Sequence, residues 1–159
     1  MTRPMDTAHS YDVVVIGAGN AALCAALSAA QAGASVVVLE KADEHLRGGN
    51  TYFTGGLFRF AYDGLDEVLA LVDGSSQEET GRVDVGTYPP SAFYSDVQRV
   101  GEGLSDPQLV QLLVDESYPT MEWMRDQDVR WVLAYGRQSF EQDGQKRFWG
   151  GLVLEAVGG

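Results

Sequence analysis

The chain has 159 residues, the length of a single domain, and is acidic, with a formal net charge of −12. Its composition is globular, with 45% hydrophobic and 21% charged residues. Such a surface disfavours nucleic acid and anionic lipid as partners. It has no apolar run of about 18 residues, so no membrane span is expected.

The single cysteine limits which sites this sequence can build. Cys24 lies in an Ala-rich segment, where a small buried apolar residue is its expected role. One cysteine excludes an internal disulfide and a cysteine-ligated iron–sulfur site, and no metal site is predicted. A reducing cytoplasm is the simplest compartment for such a chain.

The first forty residues have the pattern of a strand, a helix and a second strand. Residues 1–10 are polar, lack the apolar core of a signal peptide and are expected to form a disordered leader. Asp12–Ile16 and Ser35–Leu39 are short β-branched runs, typical of parallel strands buried on both faces. An Ala-rich helix between them would end at Gly33. The pattern predicts an α/β fold with a Rossmann-like, right-handed βαβ unit on a parallel sheet.

The remainder of the chain predicts shorter elements. Residues 42–60 look like a loop, residues 64–73 like an amphipathic helix, and residues 74–87 like a flexible excursion. A helix is expected from Pro89-Pro90 to about Val100, and a strand over residues 130–134. No helix or strand is predicted to close the sequence before Gly158-Gly159.

A longer helix is predicted to begin at Asp106-Pro107, with aspartate as the N-cap and proline in the first helical position. Pro119 predicts a kink in it, because proline lacks a backbone donor. The apolar residues assigned to this helix are Leu109, Leu112, Leu113, Met121 and Met124.

The turn after the first strand has the pattern Gly17-x-Gly19-x-x-Ala22. In this context Gly17 permits the tight turn, Gly19 lets the backbone approach a pyrophosphate, and Ala22 allows close packing of the helix. The amides and the positive dipole end at the helix start would hold the phosphates without any Lys or Arg. These features predict an adenine-dinucleotide site.

An acidic residue ends the second strand of this unit. Glu40 follows Gly17 by 23 residues, the position from which a carboxylate accepts hydrogen bonds from the adenosine ribose. A carboxylate there would repel a 2′-phosphate, so NADP is disfavoured. This geometry alone leaves NAD and FAD open.

A second glycine cluster contains Arg47-Gly-Gly-Asn-Thr51 and Thr54-Gly-Gly56. Together with Tyr11–Ala26, it resembles the flavoprotein family of fumarate reductases and succinate dehydrogenases, and within that family the FAD-dependent tricarballylate dehydrogenases. Met121–Met124 and Phe148–Gly151 also look like that family. The resemblance is specific over residues 11–56.

The resemblance implies an extended FAD, with its pyrophosphate on the first turn, its ribose on Glu40, and its flavin end beside the second cluster. It also implies noncovalent FAD, because no histidine lies within residues 46–60. The residues expected to bind the cofactor are Gly17, Ala18, Gly19, Asn20, Ala21, Ala22, Glu40, Lys41, Gly48, Gly49, Asn50, Thr51, Thr54, Gly55 and Gly56.

The implied reaction is hydride transfer between flavin N5 and a carbon next to a carboxylate, with a small polycarboxylate as substrate and an electron-acceptor protein or a quinone-linked partner. No catalytic residue is assigned, because the family's acid–base and carboxylate-binding residues lie in parts not visible in this sequence. We expect residues 11–159 to be the N-terminal part of the FAD-binding domain of a longer protein, in which a capping domain begins after about residue 130. We expect weak or no activity for these 159 residues alone.

Two other functions are compatible with the same βαβ start. An NAD-dependent Rossmann enzyme would not need the second glycine cluster. A non-catalytic nucleotide-binding or electron-transfer module would need no catalytic half.

Overall fold

The computed structural model describes residues 9–72 and 81–158. The chain divides into two compact units, with the boundary between Thr54 and Gly55. None of the helices in the described residues is long and apolar enough to cross a membrane.

The first unit is the predicted βαβ element. Strand β1 (Val13–Ile16), helix α1 (Asn20–Gln31) and strand β2 (Val36–Leu39) follow one another. The two strands pair in parallel, from Val13 opposite Val36 to Ile16 opposite Leu39. Two 3₁₀ helices, Glu44–Leu46 and Gly49–Phe53, occupy the segment predicted as loop.

The prediction that both strands are buried on both faces is wrong for the described chain. Val14, Ile16 and Leu39 are 54%, 84% and 52% exposed. Helix α1 packs against both strands, but none of its own residues is buried, and Cys24 is only half-buried. The β-branched runs therefore predicted the positions of the two strands correctly. They did not predict the burial of the strands, because only one face of this sheet is covered.

A polar contact fixes the start of this sheet. The Asp12 carboxylate accepts hydrogen bonds from the Ser35 amide at 2.8 Å and from the Ser35 hydroxyl at 2.6 Å. These bonds, the one from the hydroxyl first, lower the pKa of Asp12. Because each residue precedes one of the strands, the contact sets where β1 and β2 begin relative to each other.

The second unit combines short strands with helices. It contains β3 (Leu57–Phe58), α2 (Leu65–Leu71), β4 (Val83–Asp84), α3 (Pro90–Val100), α4 (Pro107–Asp115), α5 (Ser117–Asp126), β5 (Trp131–Leu133), α6 (Tyr135–Gln138), β6 (Ser139–Gln142), β7 (Gln145–Phe148) and β8 (Leu154–Ala156). In the described residues its sheets have the strand orders β3-β8-β5 and β4-β7-β6.

The core of the chain lies in this second unit. Its most deeply buried side chains are Phe60, Val68, Leu71, Val114, Met121, Trp131, Val153 and Leu154. Trp131 and Phe148 are buried, whereas Trp149 is 58% exposed. The Ser117 hydroxyl is buried with them, where it accepts from the Ala61 amide and donates to the Val114 carbonyl.

The helix predicted from Asp106 begins as expected and then breaks. The Asp106 carboxylate accepts from the amides of Gln108 and Leu109 at 2.8 and 3.2 Å. The predicted kink is an interruption at Glu116, between α4 and α5. A continuous helix would place the Pro119 ring against the carbonyl four residues earlier, that of Asp115, where α4 ends.

The buried face of α4 differs from the apolar stripe predicted for it. Leu109, Leu112 and Leu113 are 65%, 58% and 52% exposed, whereas Val110 and Val114 are buried. Both faces of this helix carry apolar residues, so the sequence pattern could not select the face that packs on the core. Met121 and Met124 in α5 are buried as predicted.

Five strands of the described chain lie where none was predicted, and one of them, β3, falls within the predicted loop of residues 42–60. Strands β6 and β7 form an antiparallel hairpin around Asp143-Gly144, both with positive φ, of 54° and 76°. Strand β8 lies close to the end of the chain, where no closing element was expected. Strand β4 falls within the predicted flexible excursion, of which residues 74–80 lie outside the described residues. Residue 73, the last of the predicted amphipathic helix, and residues 1–8 of the predicted leader also lie outside them.

Candidate cofactor-binding site

The predicted phosphate turn leaves the carboxyl end of β1. Gly17 has a φ of +102°, a conformation that side-chain-bearing residues rarely adopt. Its amide donates to the Leu39 carbonyl at 2.7 Å, which ties the turn to the end of β2. Gly17 therefore has the role predicted for it, that of directing the chain from the strand into α1.

The start of α1 keeps backbone donors available. Gly19, at the N-cap, supplies no side-chain cap, and the first turn contains no acidic residue. The Asn20 amide donates to the Thr51 hydroxyl at 3.0 Å. The amides of Ala21 and Ala22 have no protein acceptor within residues 9–72 and 81–158. Such a helix start attracts an anion through free amides and the positive end of the helix dipole.

The two predicted glycine clusters lie against each other. A Cβ atom on Gly19 would lie 3.3 Å from the Gly48 carbonyl oxygen and 3.5 Å from the Thr51 hydroxyl. Gly48 itself has a φ of +108°, which again favours glycine. The structure thus shows a second requirement for glycine at position 19, in addition to the predicted approach to a pyrophosphate. The absence of a side chain there makes room for the second glycine cluster.

Glu40 has a structural role in addition to the ribose contact predicted for it. Its carboxylate accepts from the Ala42 amide at 2.8 Å and from the Ala18 amide at 2.7 Å. These bonds, first that from Ala42 and then that from Ala18, lower the pKa of Glu40. The side chain therefore binds the turn from the end of β2, and its contact with a ribose stays a prediction.

An open pocket of about 570 Å³ lies over the helix start. The predicted residues Ala18, Asn20, Gly48 and Thr51 line it. Sequence reasoning missed its other lining residues, which are Leu23, Arg47 and Tyr52. The position of Arg47 directly before Gly48 was the available signal, because that places a cation beside the second cluster.

The other predicted residues occupy several places. Gly49 and Asn50 lie in the second 3₁₀ helix, and the Thr54 hydroxyl donates to the Thr51 carbonyl at 3.0 Å. Lys41 is exposed after β2, and His45 is exposed, as expected for a loop residue. In the second unit, the carbonyls of Gly55 and Gly56 accept from the Arg137 guanidinium and the Ala156 amide. Their contact with a cofactor stays a prediction.

The first unit fits the pyrophosphate of a dinucleotide. The available amides of Ala21 and Ala22, the uncapped helix start and the pocket above it meet the needs of an anionic group. When bound, FAD would be held there by backbone donors of the turn and of the Gly48–Thr51 segment.

Comparison with known proteins agrees with this geometry. Residues 12–152 match the family described as FAD binding domain. The chain is 33% identical over 123 residues to digoxin reductase of Eggerthella lenta and 31% identical over 123 residues to fumarate reductase (cytochrome) of Shewanella frigidimarina. Each match covers 77% of this chain, which spans about a fifth of the length of these relatives (19% and 18%).

A solved structure shares the fold. The open conformation of a flavocytochrome c3 fumarate reductase matches 94% of this chain and 22% of its own, with a TM-score of 0.57 and 23% identity. The family match also decides between the two cofactors that the turn left open, in favour of FAD. The chain therefore belongs to the FAD-binding domain family of flavoproteins.

Proposed function

We propose that this chain is the FAD-binding start of an oxidoreductase that transfers hydride between flavin N5 and a carbon next to a carboxylate. The observation that carries the proposal is the family match over residues 12–152, which joins the phosphate turn to flavoprotein oxidoreductases. Since the chain spans about a fifth of those relatives, the activity is proposed for the whole protein.

The names of the relatives support the reaction class more strongly than any one substrate. Fumarate is an unsaturated dicarboxylic acid, and digoxin carries an unsaturated lactone, so each has a carbon–carbon double bond next to a carbonyl group. Flavin supplies the hydride chemistry in such reactions, and the protein orients it. A small polycarboxylate such as tricarballylate is the proposed substrate, from the likeness of Tyr11–Ala26 and Arg47–Asn50 to tricarballylate dehydrogenases.

The described residues contribute binding and orientation. The uncapped start of α1 attracts the phosphates, Glu40 fixes the turn through Ala18, and Thr51 holds the second cluster against the helix. In this proposal the acid–base residue and the carboxylate-binding residues belong to other parts of the protein, including a capping domain that begins after about residue 130. The electron acceptor is a protein or a quinone-linked partner.

The visible absorption spectrum of the purified full-length protein tests the cofactor, and anaerobic reoxidation tests the chemistry. We expect bound oxidised flavin, which dithionite bleaches and which fumarate or aconitate restores. Succinate and tricarballylate, the saturated counterparts, serve as controls because they cannot accept hydride. A colourless protein that takes up no added FAD would overturn the proposal.

The same experiment distinguishes the non-catalytic module. A full-length protein that binds flavin, yet is reoxidised by none of the unsaturated acids, would instead support an electron-transfer role. For the 159-residue chain alone we expect little or no reoxidation, because its described residues supply binding groups and no assigned proton donor.

A further inference from the structure

One basic side chain lines the pocket over the start of α1. Arg47 is the C-cap residue of the first 3₁₀ helix, Glu44–Leu46, and directly precedes Gly48. It lines the same pocket as Ala18, Asn20 and Thr51. Within residues 9–54 the only other Lys or Arg is Lys41, which is not among the residues that line the pocket.

The ion pair that Arg47 makes can be exchanged easily. Its guanidinium lies 3.5 Å from the Glu44 carboxylate, and the two side chains are 61% and 87% exposed. Solvent and salt screen such a pair, so that it contributes little to stability. Arg47 can therefore leave Glu44 for a stronger acceptor without disturbing the fold.

The charge of the expected ligand favours a cation in this pocket. A pyrophosphate inside FAD carries two negative charges, whereas a helix start offers the equivalent of only about half a positive charge. Two amides near the helix start are already used as donors, that of Asn20 to the Thr51 hydroxyl and that of Ala18 to the Glu40 carboxylate. A planar guanidinium can donate two parallel hydrogen bonds to phosphate oxygens, which strengthens binding and fixes its geometry.

We infer that Arg47 binds the pyrophosphate of FAD, and that Glu44 is its partner while the site is free. The inference rests on the proposed FAD site and adds to it a side-chain cation, where the sequence predicted that backbone groups act alone. It also gives Glu44 a defined effect, that of competing with the phosphates for the same guanidinium.

Four variants of the full-length protein test this assignment. They are Arg47→Gln, Glu44→Gln, the double variant, and Arg130→Gln as a matched control that removes one exposed positive charge elsewhere. Apoprotein of each is titrated with FAD and with riboflavin, at low and at high salt, and binding is followed by flavin fluorescence. Circular dichroism and thermal unfolding show that each variant is folded.

We expect Arg47→Gln to weaken FAD binding by about tenfold at low salt and to flatten its salt dependence, because a charge-assisted contact is lost. Riboflavin has no phosphate, so its affinity should be the same in all the variants. Glu44→Gln should tighten FAD binding by a few-fold in the wild-type background and much less when Arg47 is also replaced. Arg130→Gln should bind FAD as the wild type does.

Two results would overturn the inference. One is Arg47→Gln binding FAD as tightly as wild type. The other is an equal loss of FAD and riboflavin binding, which would indicate a structural role for Arg47. A wild-type protein that binds no FAD would instead overturn the proposed function, so the two failures can be told apart.

Discussion

Single residues set the geometry of the phosphate turn from outside the turn itself. Glu40 accepts the Ala18 amide from the end of β2, and Thr51 accepts the Asn20 amide from the second glycine cluster. Both acceptors lie more than twenty positions along the chain from their donors. These two hydrogen bonds hold the turn in shape, and Thr51 also lines the pocket over it. This arrangement favours a site that is formed before the cofactor binds.

The lowered pKa of Glu40 gives a pH prediction at this scale. Because the folded state lowers the pKa, the charged carboxylate stabilises the fold above the unfolded pKa of about 4.3, and this contribution is lost as pH falls through the folded value. We expect Glu40→Gln to lower the melting temperature at neutral pH. On acidification from a pH of about 7 to about 3.5, the melting temperature of the variant should fall less than that of the wild type. Glu141→Gln, at an exposed position in β6, is the control. Equal pH profiles for wild type and Glu40→Gln would contradict this role.

At the scale of elements, helix boundaries follow local rules more closely than helix faces do. Asp106 and Pro107 start α4 where the sequence indicates, because cap and proline act on adjacent backbone groups. The buried face of the same helix contains Val110 and Val114, and tertiary packing against the core determines that this face is buried. The exposed Leu109, Leu112 and Leu113 show that a local apolar pattern does not carry this information.

The N-cap of α4 gives a prediction for this element. Asp106→Ala removes the acceptor of the Gln108 and Leu109 amides. We expect the free energy of unfolding to fall by about 1 kcal/mol, with a range of about 0.5–2 kcal/mol. Urea unfolding followed by circular dichroism measures it. Asp106→Asn keeps a cap and should lose much less, and equal losses for the two variants would mean that the cap is not the source of the effect.

At the scale of the whole molecule, the two units differ in how much apolar surface they bury. The second unit contains the fully buried core around Phe60, Leu71 and Trp131, whereas no residue described in the first unit is fully buried. Val14, Ile16 and Leu39 expose apolar side chains on one face of the β1–β2 sheet. Contiguous apolar surface of this kind promotes association between molecules.

The exposed sheet face predicts self-association of the 159-residue chain. We expect Val14→Thr combined with Ile16→Thr to shift the chain towards monomer, because both positions lie on the exposed face and threonine keeps the β-branched shape. Sedimentation velocity over a range of concentrations measures the shift. Val36→Thr, at a half-buried position in β2, is the comparison, and it should lower stability without reducing association. An unchanged sedimentation profile for the double variant would show that this face does not mediate contact.

The sequence by itself determined the βαβ unit, its phosphate turn and the FAD family. These depend on residues close together in the chain, namely β-branched runs, glycines at fixed spacing and an acid at the end of β2. It also contained a signal for the β6–β7 hairpin in Asp143-Gly144, a pair typical of two-residue turns, although that signal was missed. Only the tertiary structure decided that Thr51 and Gly48 pack on Gly19, that Arg47 lines the pocket, and that the valine face of α4 is buried. These contacts join residues far apart in the chain, so they depend on which surfaces meet on folding, and local propensity does not encode that.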